Sequence, residues 1–265
     1  MPDPAVAPLT FRLLGEGIAY SVSPAMMAAA FRALDLPHTY AIADVPEAGL
    51  DTAVAALRLP GAGGANVTTP WKMAVAERCD TLGPDAALLG AVNCVVPRNG
   101  RLTGHNTDLP ALVDELTALC PDGAGRAVLL GGGGAGRAVE VALARAGATE
   151  VVRIQRRDGT WAHLADALAG ADLVVNATPV GTATEETPVP AAYLRPDLAV
   201  YDLVYRPSPT RLGRDARAAG ARARSGAGML LGQGWRSLEL WLERPAPVAA
   251  MRAGLIDALG GSADV

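Results

Sequence analysis

The segment from Ala127 to Ile154 constrains the fold more than any other part of this chain. Ala127-Val128-Leu129-Leu130 is a short unbroken apolar run, the pattern of a strand buried on both faces. Gly131-x-Gly133-x-x-Gly136 follows directly, then a helical stretch from about Ala135 to Ala146 stopped by Gly147, then a second strand, Glu150 to Ile154. Strand, glycine turn, helix and strand in that order form the context in which such a motif takes a dinucleotide. The first glycine permits the tight turn, the second lets the backbone approach a pyrophosphate, and the third lets helix pack on strand. The helix N-terminus adds unpaired amides and a positive dipole end. Candidate cofactor contacts are therefore Gly131, Gly133, Gly134, Ala135 and Gly136. Without its flanking elements the same glycine run would read as a flexible loop.

The end of the second strand bears on the choice of cofactor. NAD enzymes place an acidic residue about 20 residues beyond the motif, on the ribose hydroxyls. Gln155-Arg156-Arg157 stands there instead. Guanidiniums at Arg156 and Arg157 suit a 2′-phosphate in forked geometry, which favours NADP. Asp158 keeps NAD possible, and two solvated surface arginines are the alternative.

The 265 residues allow one large domain or two modest ones. Half are hydrophobic but only 4% are aromatic, which suits close helix-on-sheet packing through many small contacts. A formal charge of −4 implies no basic surface for nucleic acid. Cys79, Cys94 and Cys120 are widely spaced and fit no zinc or redox pattern, so reduced thiols and no metal are expected. Neither a signal peptide nor an apolar run of membrane-spanning length is evident, which makes a soluble, cytoplasmic protein the expectation. Monomer and homodimer both remain open.

Elsewhere helical and strand-like segments alternate. Ser23 reads as the N-cap and Pro24 as the first position of a helix running to about Leu34. Tyr40 to Ala43 reads as a strand, Leu50 to Leu59 as a short helix, and Gly61 to Gly64 as flexible. Ala91 to Val96 reads as a strand ending in an Asn99-Gly100 hairpin turn. Leu112 to Leu119 reads as a helix, Leu173 to Ala177 and Ala199 to Val204 as buried strands, and Met229 to Leu242 as a long helix. The expected architecture is α/β with two domains. Residues 1–109 plus 230–265 form an α/β substrate domain, and 110–229 a Rossmann-like dinucleotide-binding domain.

Ahead of the glycine turn lie Asn66-Val67-Thr68-Thr69-Pro70-Trp71-Lys72 and Asn106-Thr107-Asp108. Reducing a ketone by hydride leaves an alkoxide that must be protonated. A partly desolvated lysine positioned by a carboxylate can serve that step, which makes Lys72 and Asp108 the catalytic candidates. Taken singly, both would read as surface charges.

Ser21-Val22-Ser23-Pro24, Asn66-Val67-Thr68-x-Pro70-x-Lys72, Gly90-Ala91-Val92-Asn93, Asn106-Thr107-Asp108, Asn176-Ala177-Thr178 and Met229-Leu230-x-x-Gln233 occur in the order seen in the shikimate dehydrogenase family. The chain resembles that family from about Gly17 to Trp241. The resemblance implies that Lys72 and Asp108 act as the catalytic pair and that Ser21 and Ser23 hold a carboxylate. It implies too that Asn66, Thr68, Asn93 and Gln233 bind ring hydroxyls, and that Tyr205 lies near substrate and nicotinamide. Thr178 then belongs with the cofactor residues. Ser23 as a plain helix cap, and Tyr205 and Gln233 as core residues, are the competing readings. The implied ligand is a small cyclic polyhydroxy acid. The implied reaction is the NADP-dependent interconversion of 3-dehydroshikimate and shikimate.

The chain also departs from the family's pattern. Met26-Met27 stand where His-Asn is common, which changes packing or reshapes the wall beside the carboxylate site. Cys94 replaces a threonine and Thr182 a methionine. Between Arg157 and Leu173 only one helix fits, Trp161 to Leu168, so the nucleotide domain is expected to lack about one edge strand and a helix. Specialised quinate or amino-substituted substrates, or a ligand-binding relative without turnover, are the alternatives these departures motivate.

Overall fold

The computed structural model describes residues 6–133 and 136–261. The chain divides into two compact units, residues 1–107 with 233–258, and residues 108–232 with 259–265. In chain order the first comprises β1 (Thr10–Gly15), α1 (Ser23–Ala33), β2 (Thr39–Asp44), α2 (Leu50–Ala56), β3 (Ala62–Val67), α3 (Lys72–Ala76), β4 (Thr81–Leu82), α4 (Pro84–Leu89), β5 (Cys94–Arg98) and β6 (Arg101–His105). The second follows with α5 (Asp108–Leu119), β7 (Gly125–Leu130), α6 (Gly136–Arg145), β8 (Ala148–Ile154), α7 (Leu164–Ala169), β9 (Leu173–Asn176), β10 (Ala199–Asp202), α8 (Arg211–Ala218) and β11 (Ala223–Ser225). Helix α9 (Gly226–Leu242) starts in the second unit and ends in the first, followed by α10 (Val248–Ala258).

The first unit is a six-stranded mixed sheet in the order β2-β1-β3-β5-β6-β4. β1 pairs in parallel with both β2 and β3, while β5 and β6 form an antiparallel hairpin. Asn99 and Gly100, at φ 51° and 74°, make its two-residue turn, the left-handed pair such a hairpin needs. The stretch expected to be flexible, Gly61 to Gly64, is instead largely the start of β3. Its glycines answer to packing rather than mobility. A Cβ on Gly63 would enter the Phe11 ring, and one on Gly64 would strike the Trp241 indole and the Val95 carbonyl. Phe11 is itself wedged against Phe31 and Trp241, with ring centroids 5.2 and 4.8 Å away.

Helix α1 also corrects an expectation. Val22 is the N-cap, Ser23 opens the helix, and Pro24 takes the second position. The cap has no side-chain bond, but Ser21 Oγ accepts from the Ser23 amide at 3.3 Å, so the preceding serine takes over the task assigned to Ser23. Met26 and Met27 are fully buried, and Met26 packs against Gly234 of α9, so this pair belongs to the core.

The second unit carries an all-parallel five-stranded sheet, β11-β10-β9-β7-β8. β9 and β10 are buried throughout, as a sheet covered on both faces requires. The strand order reverses between β7 and β9, placing a topological switch point beside the glycine turn. Between Ile154 and Leu173 the chain forms only a 3₁₀ turn, Thr160–His163, and α7. No strand intervenes, and β8 is the sheet's edge. The expected single helix from Trp161 is thus a 3₁₀ turn leading into α7.

Candidate functional site

In the first unit, the Asn66 motif is a strand end, a turn and a helix start. Thr68 N donates to Leu14 O at 2.8 Å, and Trp71 N donates to Thr68 O at 2.9 Å. The buried Trp71 indole donates to Val45 O at 2.8 Å, which fixes the turn that launches α3. Lys72 is the first residue of α3 and half-buried, its carbonyl accepting from Val92 N at 2.9 Å. A tryptophan and a long-range backbone bond thus hold the backbone beneath the lysine.

Asn66 and Asn93 are both buried, and backbone groups pin the orientation of each amide. Asn66 Nδ2 donates to Asn93 O at 3.1 Å and to Ser237 Oγ at 2.8 Å. Asn66 Oδ1 accepts from the Tyr40 phenol at 2.9 Å. Burial, aided by nearby Cys94, pushes the Tyr40 phenol well above its ordinary range and keeps it a donor. Asn93 Oδ1 accepts from Thr107 N at 2.6 Å, and its Nδ2 donates to Thr107 Oγ1 at 2.9 Å. Ser237 Oγ joins the two halves, donating to Gln233 O at 2.9 Å and lying 3.1 Å from Thr107 Oγ1. Gln233 Oε1 stands 3.5 Å from Asn66 Nδ2, at the edge of this network.

Of the residues expected at a substrate site, Asn66, Asn93 and Gln233 therefore come together. Ser21 and Ser23 form their own pair, Oγ to Oγ 3.2 Å, and Thr68 is anchored through its backbone. Tyr40, Thr107 and Ser237 were not anticipated as partners in this network. The signal for Ser237 was available, since it lies one helical turn beyond Gln233 on the same face.

In the second unit, Asp108 is the first residue of α5, a placement of negative charge that the helix dipole favours. Tyr205 is half-buried, three residues past the end of β10. Gly131 leaves β7 at φ 101°, and a Cβ there would meet Ala177 O and the Thr178 side chain at 3.1 Å. The loop after β7 and the loop after β9 therefore touch at the switch point, where only a glycine fits. Gly133 faces open space and its carbonyl accepts from Gly136 N at 2.8 Å. Gly134 and Ala135 lie outside the described residues.

Thr178 is held by Asn176, whose Oδ1 accepts from the Thr178 amide at 3.0 Å and its hydroxyl at 2.6 Å. Asn176 Nδ2 donates to Asp202 Oδ1 at 2.9 Å, which ties the ends of β9 and β10. Burial pushes the Asp202 carboxyl above its ordinary value, opposed by bonds from Thr210, Asn176 and Val204. After β8, Arg156 lies over the Trp161 ring, 4.9 Å from its centroid, while Arg157 Nε donates to Gln155 Oε1 at 2.8 Å.

A positive-φ glycine at the switch point of a parallel sheet, with a helix N-terminus following, defines a Rossmann-like α/β protein of the dinucleotide-binding class. Two family models match the chain before and after that sheet in sequence. The shikimate dehydrogenase substrate binding domain matches residues 13–95, and the shikimate 5′-dehydrogenase C-terminal domain matches 226–255. The NADP(+) shikimate dehydrogenase of Moorella thermoacetica is 41% identical over 94% of this chain and 93% of its own. Among solved structures, the Thermus thermophilus shikimate 5-dehydrogenase in complex with NADP(H) and shikimate is 37% identical, covers 95% of this chain and 100% of its own, and has a TM-score of 0.83. The NAD complex of the Corynebacterium glutamicum quinate dehydrogenase is 30% identical, covers 94% and 99%, and reaches 0.84. The chain belongs to the shikimate dehydrogenase family.

Proposed function

We propose that this protein catalyses the NADP-dependent, reversible reduction of 3-dehydroshikimate to shikimate. The observation that carries this reading is the 41% identity to an NADP(+) shikimate dehydrogenase over 94% of the chain. The quinate reading is not favoured, because relatives near 40% identity over most of the chain are named NADP(+) shikimate dehydrogenases.

The second unit fits a dinucleotide. Gly131 fills a position that a side chain would block, Gly133 leaves the backbone open, and Thr178 is oriented by Asn176. These residues, with Gly136 and Arg156, would hold the cofactor. When bound, its nicotinamide supplies or accepts the hydride. Lys72 gives a proton to the oxygen of the reduced carbonyl and takes it back from the hydroxyl in reverse, with Asp108 as its partner. Asn66 offers its remaining oxygen lone pair, and Asn93 its remaining N–H, to ring hydroxyls. Their amides need no reorientation, since the backbone already fixes them. Ser21 and Ser23 present a hydroxyl pair to the substrate carboxylate, with Thr68, Gln233 and Tyr205 completing the ligand contacts.

The test is absorbance at the nicotinamide band with shikimate and either NADP or NAD. Reduction of NADP, with NAD much slower, is the expected result. Reduction only with quinate and NAD would overturn the assignment.

A further inference from the structure

Three polar side chains, at the ends of β9 and β10 and the start of α8, are buried and belong to none of the ligand contacts assigned above. Asn176, Asp202 and Thr210 are each exposed by 1% or less. Their bonds run in one direction. Asp202 accepts at every contact: Oδ2 from the Thr210 hydroxyl at 2.7 Å, and Oδ1 from Val204 N at 3.1 Å and Asn176 Nδ2 at 2.9 Å. That is the pattern of an ionised carboxylate, which has no proton to offer. Thr210 Oγ1 can send its proton there because its bond from Gly213 N, at 3.1 Å, is one it accepts as the N-cap of α8.

The consequence reaches the loop after β9. With Nδ2 turned to a carboxylate and to Val180 O at 3.3 Å, Asn176 has only its oxygen left for Thr178. Oδ1 accepts from the Thr178 amide at 3.0 Å, and the Thr178 hydroxyl, 2.6 Å away, spends its one proton on the same oxygen. The half-buried Thr178 then accepts from Val180 N at 3.3 Å and keeps one lone pair on Oγ1. Toward a ligand it is an acceptor, with no proton for a phosphate oxygen. Its place in the sheet tells which half of a dinucleotide it meets. β8, whose end reads the adenosine ribose in this class of fold, lies on one side of β7, and β9 lies on the other.

We propose that Asp202 is a positioning residue of the cofactor site: through Asn176 it fixes Thr178 as a hydrogen-bond acceptor for the nicotinamide nucleotide, whose ribose hydroxyls and carboxamide N–H groups are donors. This rests on the dinucleotide reading and adds the polarity of one contact and the buried anion that sets it.

The experiment is calorimetric binding of NADP, and of 2′,5′-ADP, which lacks the nicotinamide half, to the full chain. Thr178→Val should weaken NADP about 3- to 10-fold, the size of one hydrogen bond, and leave 2′,5′-ADP unchanged, while Thr178→Ser keeps wild-type affinity. Asp202→Asn, which exchanges the anion for an amide of equal size, should weaken NADP about 2- to 10-fold, again without effect on 2′,5′-ADP. In the Thr178→Val background it should add nothing, because its effect travels through that hydroxyl. Thr210→Val breaks only the bond to Oδ2 and the helix cap, so it should lower the unfolding midpoint and leave NADP affinity as it is. The 3-acetylpyridine analogue of NADP, which has no carboxamide N–H, separates the two donors. An affinity indifferent to Thr178→Val names the carboxamide, and an undiminished loss names a ribose hydroxyl. Wild-type NADP affinity in Asp202→Asn, equal losses for NADP and 2′,5′-ADP, or an additive loss in the double variant would overturn the proposal. A wild-type chain that binds neither nucleotide would defeat the dinucleotide reading itself, and the proposal with it.

Discussion

The two candidate ligand regions are built on opposite plans. Around Asn66 and Asn93 every amide is buried, and backbone atoms dictate which end is oxygen and which is nitrogen. Around Gly133 and Arg156 the chain is exposed, and the side chain of Thr178 nearby is only half-buried. A rigid polar interior discriminates hydroxyl patterns because a wrong partner leaves a buried donor or acceptor unmet. An open, charged rim grips phosphate by charge and needs little shape.

The contrast breaks most visibly at Lys72. Lys72→Ala should lower kcat by about 10²- to 10⁴-fold while KM changes far less, which steady-state kinetics in both directions would read. Equal losses in both constants would make Lys72 a binding residue of the rigid region.

Two glycines sharpen the comparison next. Gly63→Ala drives a Cβ into Phe11, a ring already trapped by Phe31 and Trp241, and should cost about 1–3 kcal/mol in urea unfolding. A Cβ at Gly133→Ala has no neighbour within 4 Å among the described residues, so the variant's stability should stay within about 0.5 kcal/mol of wild type while nucleotide affinity falls. Matching stability losses would erase the distinction between packed and open glycines.

Ser237→Ala tests the buried network. It strands an N–H of Asn66 and should destabilise the fold by about 1–3 kcal/mol, with KM for the ring acid rising more than KM for the cofactor. An unchanged KM ratio would remove Ser237 from the substrate region.

The smallest effect is expected from pH. Burial holds His38 and His105, both in the first unit, below the ordinary value of 6.5. The unfolded chain therefore binds these protons first, so their contribution is intact above about pH 6.5 and declines as pH falls through the lower folded values. Asp202, in the second unit, has the opposite sign. Its folded carboxyl is raised above 3.8, so its contribution is complete below that value and is lost as pH rises through the folded one. Mild acid should thus weaken the first unit while relieving Asp202 in the second. Unfolding followed through Trp241 and Trp161 in single-tryptophan variants would show it, and parallel curves would count against it.

Much of this was legible in the residues. The run from Ala127 to Ile154 states its own fold, because an apolar strand, a glycine turn and a helix are local patterns with few alternative meanings. The segment between Arg157 and Leu173, set against the family's pattern, likewise announced that no further strand would follow β8. Gly61 to Gly64 misled for a physical reason. Glycine has the same local preferences whether it frees a loop or yields room to an aromatic ring, and Phe11 and Trp241 are about 50 and 180 positions away in the chain.

The candidate site divides the same way. Motifs shared with the family marked the candidate residues, from Ser21 through Lys72 to Gln233. Tertiary structure alone decided which way the amides of Asn66 and Asn93 face, since that depends on a carbonyl and an amide from other segments. It also decided that neighbours as alike as Arg156 and Arg157 meet different partners, one an indole and the other a glutamine. Sequence specifies donors and acceptors one residue at a time, but a hydrogen bond belongs to a pair, and only folding makes the pairs.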